Sequence, residues 1–389
     1  MKEDDTTDSC RDPGVCCSGV FLVAEERHDK TDEFYLKRAL GLAARGGRTH
    51  PNPAVGAVLV ADGEVVGEGY HRGPGTAHAE VVALAQARER SRGATLYVTL
   101  EPCSHFGRTP PCTRAIMAAG VNRVVIGLQD PNPVVNGSGI AELRQAGLDV
   151  VVANGSLREA AREQNAPFVK AVATGLPLVT CKAAVSLDGK VAAASGDARW
   201  ISSAESRRRV HAMRARADAV LVGAGTVRRD DPRLTVRDVA GDDPVRVVAT
   251  RGGELPPTAR LVRTARETPT IVLAETVSEA ATAALRERGV EVVAAGPEAG
   301  LHGMLAALAQ RGLFDVLCEG GPTLAGALLR AGLIDRVALF VAPLIVGHGA
   351  PELFGIDAAQ TIEEALRLHD VSWEPSGPDM LLKARVTRW

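Results

Sequence analysis

Two α/β layered domains in tandem are predicted from three observations. The 389-residue length exceeds what a single hydrophobic core ordinarily holds. From residue 31 onward, short apolar runs of strand character alternate with longer runs of helical period. The alternation stops at a helical stretch near residue 156 and restarts near residue 176. The expected organisation is a disordered leader over 1–30, a first domain over 31–155, a connector over 156–175 and a second domain over 176–389.

The leader "MKEDDTTDSCRDPGVCCSGV" is charged, rich in small residues and without helical or strand period, which is why it is expected to be disordered. "TDEFYLKRALGLAARGG" then opens on acidic residues, carries apolar residues at Phe34, Leu36, Ala39, Leu40 and Ala43, and stops at Gly46-Gly47, the punctuation of a helix. "AVGAVLVADGEVVGEGY" is two strand-like runs around Asp62-Gly63, a hairpin turn signal. A helix over 79–90, the strand "ATLYVTL", the helix "CTRAIMAAG", the strand "RVVIGL", the helix "IAELRQAG" and the strand "LDVVVA" follow. A helical connector spans 156–174. Beyond it "GLPLVT", "DAVLVG", "VRVVAT", "PTIVLA", "VEVVAA" and "FDVLCEGG" are the strand candidates of the second unit, and "DRVALFVAPLIVG" reads as a buried strand sooner than an interface. Ser202 and Glu205 form a capping-box pattern that starts a helix carrying Arg207, Arg208, Arg209, Arg214 and Arg216.

Charge narrows the partners. Lys and Arg number 45 against 47 Asp and Glu, so the chain has no basic excess of the kind that holds nucleic acid. Aromatic residues make up only 3%, which leaves little for stacking single-stranded bases. No apolar run approaches the roughly 20 residues that span a bilayer, so neither a membrane nor a nucleic acid is an expected partner and a cytoplasmic location is expected. Seven cysteines, an odd number, argue for reduced thiols over a disulfide framework. Cys10, Cys16 and Cys17 sit in the leader, and the Cys16-Cys17 pair is read there as incidental.

Cys103 and Cys112 belong to a pattern. "TAHAEVVAL" places His78 and Glu80 at the start of a helix, and "YVTLEPCSHFGRTPPC" places the two cysteines after the following strand. Two thiolates and one imidazole are the three-ligand set of a catalytic zinc that keeps its fourth position open. Glu80 need not ligate; a carboxylate there can move a proton from water to a leaving amine. His-x-Glu followed by Pro-Cys and a second Cys is the zinc deaminase pattern, here with eight residues between the cysteines instead of two. A structural zinc with His105 as fourth ligand is the alternative.

With these blocks assembled, together with "PNPAVGAVLV", "QDPNP", "SLDGK", "RWISS", "DDPRLTVR" and "CEGGPTLAGALL", the chain resembles the bifunctional deaminase/reductase family of bacterial riboflavin biosynthesis over roughly residues 32–355. The long insertion between the cysteines is that family's form of the motif. The resemblance implies a cytidine-deaminase-like three-layer domain followed by a dihydrofolate-reductase-like α/β domain. It implies zinc and NADPH as cofactors. Its substrate would be a small pyrimidine ribosyl phosphate, deaminated first and then reduced at the ribosyl group to ribityl. An active deaminase with a degenerate reductase-like domain is the second reading, and self-association is an expectation of the family.

Carried over position by position, His78, Cys103 and Cys112 would hold zinc, Glu80 would shuttle the proton and Asn52 would meet the pyrimidine, with His71 structural or peripheral. The chain departs from the family at His50, at Phe106 and in "VVNGSG", which bears on substrate contacts alone. In the second domain "VLVGAGTVRRD" lacks the third glycine of a dinucleotide fingerprint, since Arg228 stands there. The resemblance instead assigns NADPH to Ala184, Trp200, Thr226, Asp230, Gly320, Gly321, Pro322 and Thr323. The Gly320-Gly321 turn allows close backbone approach before a helix N-terminus. Substrate would meet Ala198, Arg214, Leu234, Arg237 and Glu319. Ala198 is a departure from a frequent serine. Lys182 and Glu319 would polarise and orient the reacting sugar, the alternative for Lys182 being an ordinary solvent lysine at a strand end.

Overall fold

The hairpin signal at Asp62-Gly63 materialises as β1 (Gly56–Ala61) and β2 (Glu64–Tyr70), paired antiparallel around a turn in which both residues have positive φ, as a two-residue hairpin loop requires. The computed structural model describes residues 30–106, 110–133, 135–357 and 359–386. The leader reading, with Cys10, Cys16 and Cys17, lies outside the described residues except for Lys30, which begins a helix.

That helix, α1 (Lys30–Ala43), is followed after the hairpin by α2 (Ala79–Ala87), β3 (Thr95–Val98), α3 (Cys112–Ala118), β4 (Arg123–Ile126), α4 (Ser138–Gln145) and β5 (Asp149–Val152). The five strands lie in the order β2-β1-β3-β4-β5, with β3, β4 and β5 parallel. One face buries Val58, Tyr97 and Val125 beneath Tyr35, Ala39 and Leu42 of α1. The other buries Ala57, Leu96 and Val124 beneath Ala83 of α2, Ile116 of α3 and Leu143 of α4, which completes three layers.

Glycine sets the spacing of those layers. A Cβ on Gly67 or Gly69 would come within 2.1 or 2.2 Å of a backbone carbonyl of α2, so α2 lies directly on β2 because both are bare. Gly69→Ala presses a methyl on Ala79 O, which cannot yield without moving the helix. We expect a loss of about 1–3 kcal/mol, the usual cost of overpacking, read as a lower urea midpoint at unchanged slope.

The helical connector consists of two helices. α5 (Gly155–Gln164) and α6 (Ala166–Thr174) break at Asn165, whose buried side chain accepts from Ala54 N at 2.8 Å and donates to Ala54 O at 3.0 Å. Leu157 packs with Leu36 and Ala153, and Phe168 and Val169 pack with Leu100 and Leu128, so both helices are laid on the first domain. Lys170 of α6 meets Asp335 of the second domain at 2.5 Å with both side chains buried.

The second domain runs β6 (Leu178–Ser186), α7 (Ala204–Arg216), β7 (Ala219–Gly223), α8 (Ala224–Asp230), β8 (Val245–Thr250), α9 (Arg260–Arg263), β9 (Thr270–Ala274), α10 (Glu279–Glu287), β10 (Glu291–Ala294), α11 (Gly300–Ala309), β11 (Asp315–Cys318), α12 (Pro322–Arg330), β12 (Arg336–Ala342), β13 (His369–Ser376) and β14 (Asp379–Arg385). Its nine strands lie in the order β10-β9-β8-β7-β11-β6-β12-β14-β13, parallel from β10 to β12 and closed by the antiparallel β14 and β13. β12 lies inside that sheet, between β6 and β14, so the first part of "DRVALFVAPLIVG" is an internal strand, while residues 343–347 leave the sheet and Ile345 is exposed. β11 inserts between β6 and β7, so the loops leaving these three neighbours at their carboxyl ends diverge and leave a crevice.

One expectation about α7 is corrected. Its N-cap is Ser203, whose hydroxyl accepts from Ser206 N and donates to Ser376 O, in place of the Ser202–Glu205 box. Asp379 decides this, because its carboxylate binds Ser203 N at 2.8 Å and Ser206 Oγ at 2.6 Å from 170 or more residues away. Arg207 stacks on the exposed Trp200 ring at 4.5 Å and Arg209 reaches Glu374 at 3.2 Å, while Arg208 and Arg216 are exposed. None of the described helices is long and apolar enough to cross a membrane.

Candidate functional site

Two helix N-termini and one loop bring the first constellation together. His78 is the N-cap of α2, Cys112 is the first residue of α3, and Cys103 sits in the loop after β3. The loop is tied to α3 by Thr113 N donating to Cys103 O and Cys112 N donating to Cys103 Sγ. Cys112 Sγ lies 3.1 Å and Cys103 Sγ 3.6 Å from His78 Nδ1, and the three ligand atoms all fall within 4.8 Å of one another. A tetrahedral zinc with ordinary bond lengths separates nitrogen from sulfur by about 3.6 Å, so the residues fit that metal. Cys103 is held well below the ordinary thiol range, first by its hydrogen bond with Cys112 and then by His78, which suits a thiolate ligand. His105 is exposed and lies outside the cluster, so a four-ligand structural site through His105 is not formed.

Glu80 is buried in the first turn of α2, where desolvation pushes its carboxyl upward and a hydrogen bond joins it to Cys112. Asn52 lies beside this pocket through His71. Its amide nitrogen donates to His71 Nε2 at 2.9 Å, His71 Nδ1 faces Ala77 O at 3.2 Å, and the His71 ring stands edge-on to His78 at 5.4 Å. His71 is therefore a structural partner of Asn52, buried against the constellation.

Glu101, in the same "EPC" run, was not singled out from sequence. Its oxygens accept from the backbone nitrogens of Asp130, Gly137, Gly139 and Ile140 and so hold the loop before α4 against the cysteine loop. Its proximity to Pro102-Cys103 was the only available signal. His50, the departure before Pro51, carries an interdomain contact: its Nδ1 meets Asp218 Oδ2 at 2.8 Å, and that oxygen also accepts from the nitrogens of Phe314 and Asp315.

The second constellation lines a cleft of about 1140 Å³ at the carboxyl edge of the nine-stranded sheet. Lys182, Ala184, Ala198, Trp200, Arg214, Thr226, Asp230, Arg237 and Glu319 all line it, as does the run from Gly320 to Thr323. The turn expected from "CEGGP" is present, with Gly321 as N-cap of α12 and Pro322 at its first turn. Leu234 is brought to the region but its side chain is buried in the core with Ala217 and Val220, away from the cleft surface. Lys182 is no strand-end lysine: it lies mid-way along β6, and its ammonium is 3.7 Å from Glu319 Oε2. Arg214 grips Glu319 with two bonds of 2.6 and 2.9 Å. Burial opposes ionisation of Glu319, yet Arg214 and Lys182 overcome it and hold the carboxyl at about 2. Thr250, Arg251 and Glu275, at the ends of β8 and β9, also line the cleft and were missed; their position after strands that lead to one sheet edge was the usable signal.

Comparison with known proteins agrees with this division. Residues 29–128 match the family described as "Cytidine and deoxycytidylate deaminase zinc-binding region", and residues 177–382 match "RibD C-terminal domain". The riboflavin biosynthesis protein RibD of Aquifex aeolicus is 45% identical over 352 residues, covering 90% of this chain and 97% of the relative. That of Escherichia coli is 41% identical over 362 residues, covering 90% and 98%. Among solved structures, Acinetobacter baumannii RibD superimposes with a TM-score of 0.84 at 39% identity, covering 92% of this chain and 99% of the other. A diaminohydroxyphosphoribosylaminopyrimidine deaminase/5-amino-6-(5-phosphoribosylamino)uracil reductase from Thermotoga maritima gives 0.80 at 37% identity, with coverage of 92% and 99%.

Proposed function

The chain belongs to the RibD family, whose deaminase and reductase domains it carries, and from that premise we propose how its residues divide the two reactions. It is a bifunctional enzyme of riboflavin biosynthesis. The first domain, over 31–155 with the connector to 175 packed on it, removes the 2-amino group of 2,5-diamino-6-ribosylamino-4(3H)-pyrimidinone 5′-phosphate. The second, from 176, reduces the ribosyl group of the product to ribityl. The observation that carries the reading is the convergence of His78, Cys103 and Cys112 beside a buried Glu80.

His78, Cys103 and Cys112 would hold the zinc, which when bound supplies Lewis acidity that activates water at neutral pH. Glu80 takes a proton at its carboxylate and returns it to the departing ammonia, a transfer favoured by a carboxyl whose affinity for protons is raised by burial. Asn52, its nitrogen committed to His71, presents Oδ1 to the polar edge of the pyrimidine.

In the cleft the nicotinamide cofactor supplies the hydride. Gly320, Gly321, Pro322 and Thr323 at the start of α12 would hold its phosphates, and Ala184, Trp200, Thr226 and Asp230 in the same cleft would hold the rest of it. Arg228, Arg229 and Arg251 line the same cleft and offer cations to a 2′-phosphate, which supports NADPH over NADH. Arg214 and Arg237 bind the substrate's phosphate, and Lys182 and Glu319 orient the open sugar.

The test is ammonia release from the diaminopyrimidinone substrate by zinc-loaded protein, followed by absorbance of the nicotinamide band on adding NADPH. Ammonia followed by NADPH oxidation is the expected sequence. Ammonia alone would leave the second domain a degenerate binding module, and neither signal from folded, metal-replete protein would overturn the assignment.

A further inference from the structure

His211 lines the reductase cleft but has no part in the scheme above. It lies on α7 one turn before Arg214, is 6% exposed, and its Nδ1 accepts the backbone N–H of Arg237 at 3.2 Å. The segment it touches is conformationally demanding. Leu234 and Asp238 are non-glycine residues at φ 56° and 65°, in the left-handed region that L residues keep only where surrounding contacts hold them. Those contacts are on hand: Leu234 is buried in the core, Arg214 Nη1 donates to Thr235 O at 3.0 Å, and Val236 N donates to Asp243 Oδ1 at 2.7 Å. His211 supplies the anchor on the backbone of Arg237 itself.

We propose that His211 is a positioning residue of the reductase: in its neutral form it pins the 234–238 loop so that Arg237 faces the substrate phosphate, and proton uptake by its ring releases that loop. The proposal rests on the phosphate-binding role given to Arg237 above. With Nδ1 accepting, the ring proton resides on Nε2, 4.0 Å from Asp238 Oδ2. An imidazolium would turn an N–H toward the N–H of Arg237, and two donors cannot bond. The charged groups facing the ring are Arg214 on its own helix, Arg237 and Asp238 on the loop, and Glu319 beyond β11. Burial first, then the two arginines, push the imidazole below its ordinary 6.5 against the opposing carboxylates, so the ring is neutral at pH 7. A thermal or packing role alone would not depend on which atom accepts. Asparagine can place its Oδ1 near the position of Nδ1 and accepts at every pH, whereas leucine fills the space and accepts nothing.

The experiment uses the full-length, zinc-loaded protein with the deaminated ribosyl phosphate and NADPH, measuring KM and kcat from pH 5 to 8. His211→Leu is expected to raise KM about tenfold at pH 7.5 with kcat little changed, and His211→Asn to recover most of that loss. The substrate's own phosphate titrates near pH 6 in every variant, so the informative quantity is the ratio of wild-type KM to His211→Asn KM, in which it cancels. That ratio is expected to climb several-fold as pH falls from 7.5 to 5. A flat ratio, an Asn variant as impaired as the Leu variant, or a loss confined to kcat would overturn the proposal. Arg237→Ala in the same assay separates the two levels. If it raises KM while His211→Leu does not, only the positioning role fails; if it leaves KM unchanged, the phosphate reading itself fails and the proposal with it.

Discussion

Glu80→Gln stops ammonia release while NADPH oxidation with the deaminated product continues at the wild-type rate. Glutamine keeps the shape of the side chain and can still hydrogen-bond Cys112, so the constellation of His78, Cys103 and Cys112 stays assembled. What it removes is the one exchangeable proton site placed two residues after His78 on the first turn of α2. General acid–base contributions are of the order of 10² to 10⁴ in rate, and a group that both accepts and returns the proton should lie at or beyond the upper end. Metal analysis should find about as much zinc as in the wild type, which distinguishes a lost proton shuttle from a lost site. Ammonia release within tenfold of the wild type would place the proton transfer elsewhere, and zinc loss would make Glu80 a structural support.

Glu319→Gln has the next largest effect, on reduction and on stability together. The Glu319 side chain is largely enclosed between Arg214 and Lys182, so the neutral amide leaves two cations facing one another without a counter-charge. Breaking such a buried set by removing one partner costs about 3–5 kcal/mol, and the orientation of the sugar is lost with it. The stability effect carries a sign that can be checked. A carboxyl held at about 2 in the folded protein, against 4.5 as its ordinary value, contributes stability above pH 4.5 that disappears as pH falls through the folded value. The gap between wild type and variant should therefore narrow by roughly 2 kcal/mol between pH 6 and pH 3 in urea titrations. A constant gap would mean that Glu319 is not ionised against these cations, and NADPH oxidation surviving at near the wild-type rate would remove it from the site.

Much of both sites is legible in the chain because their elements announce themselves locally. His78 and Glu80 sit where a helix must begin, Cys103 and Cys112 bracket the next strand and helix, and the Gly320-Gly321-Pro322 run can only turn a strand into a helix. Glu101 is different. Its four bonds go to nitrogens 29 to 39 residues further on, and no periodicity reports them. His50 and Asp218 lie 168 residues apart, and Ser203 is preferred to Ser202 as a cap only because Asp379 comes to it from the far end of the chain. Leu234 lies in a matching block, but its place in the block does not tell that its side chain turns into the core.

The chain by itself determined the two α/β domains, the order of most of their elements and the residue types that could hold zinc or a dinucleotide, since periodicity, caps and turns act over a few residues. Tertiary structure decided which atoms meet. The insertion of β11 between β6 and β7 sets Glu319 against Arg214 and Lys182, and the packing of α2 on bare Gly67 and Gly69 determines where α2 carries His78 and Glu80. Both depend on contacts between segments far apart in sequence, whose geometry is chosen by the burial of the whole core and not by the residues on either side of them.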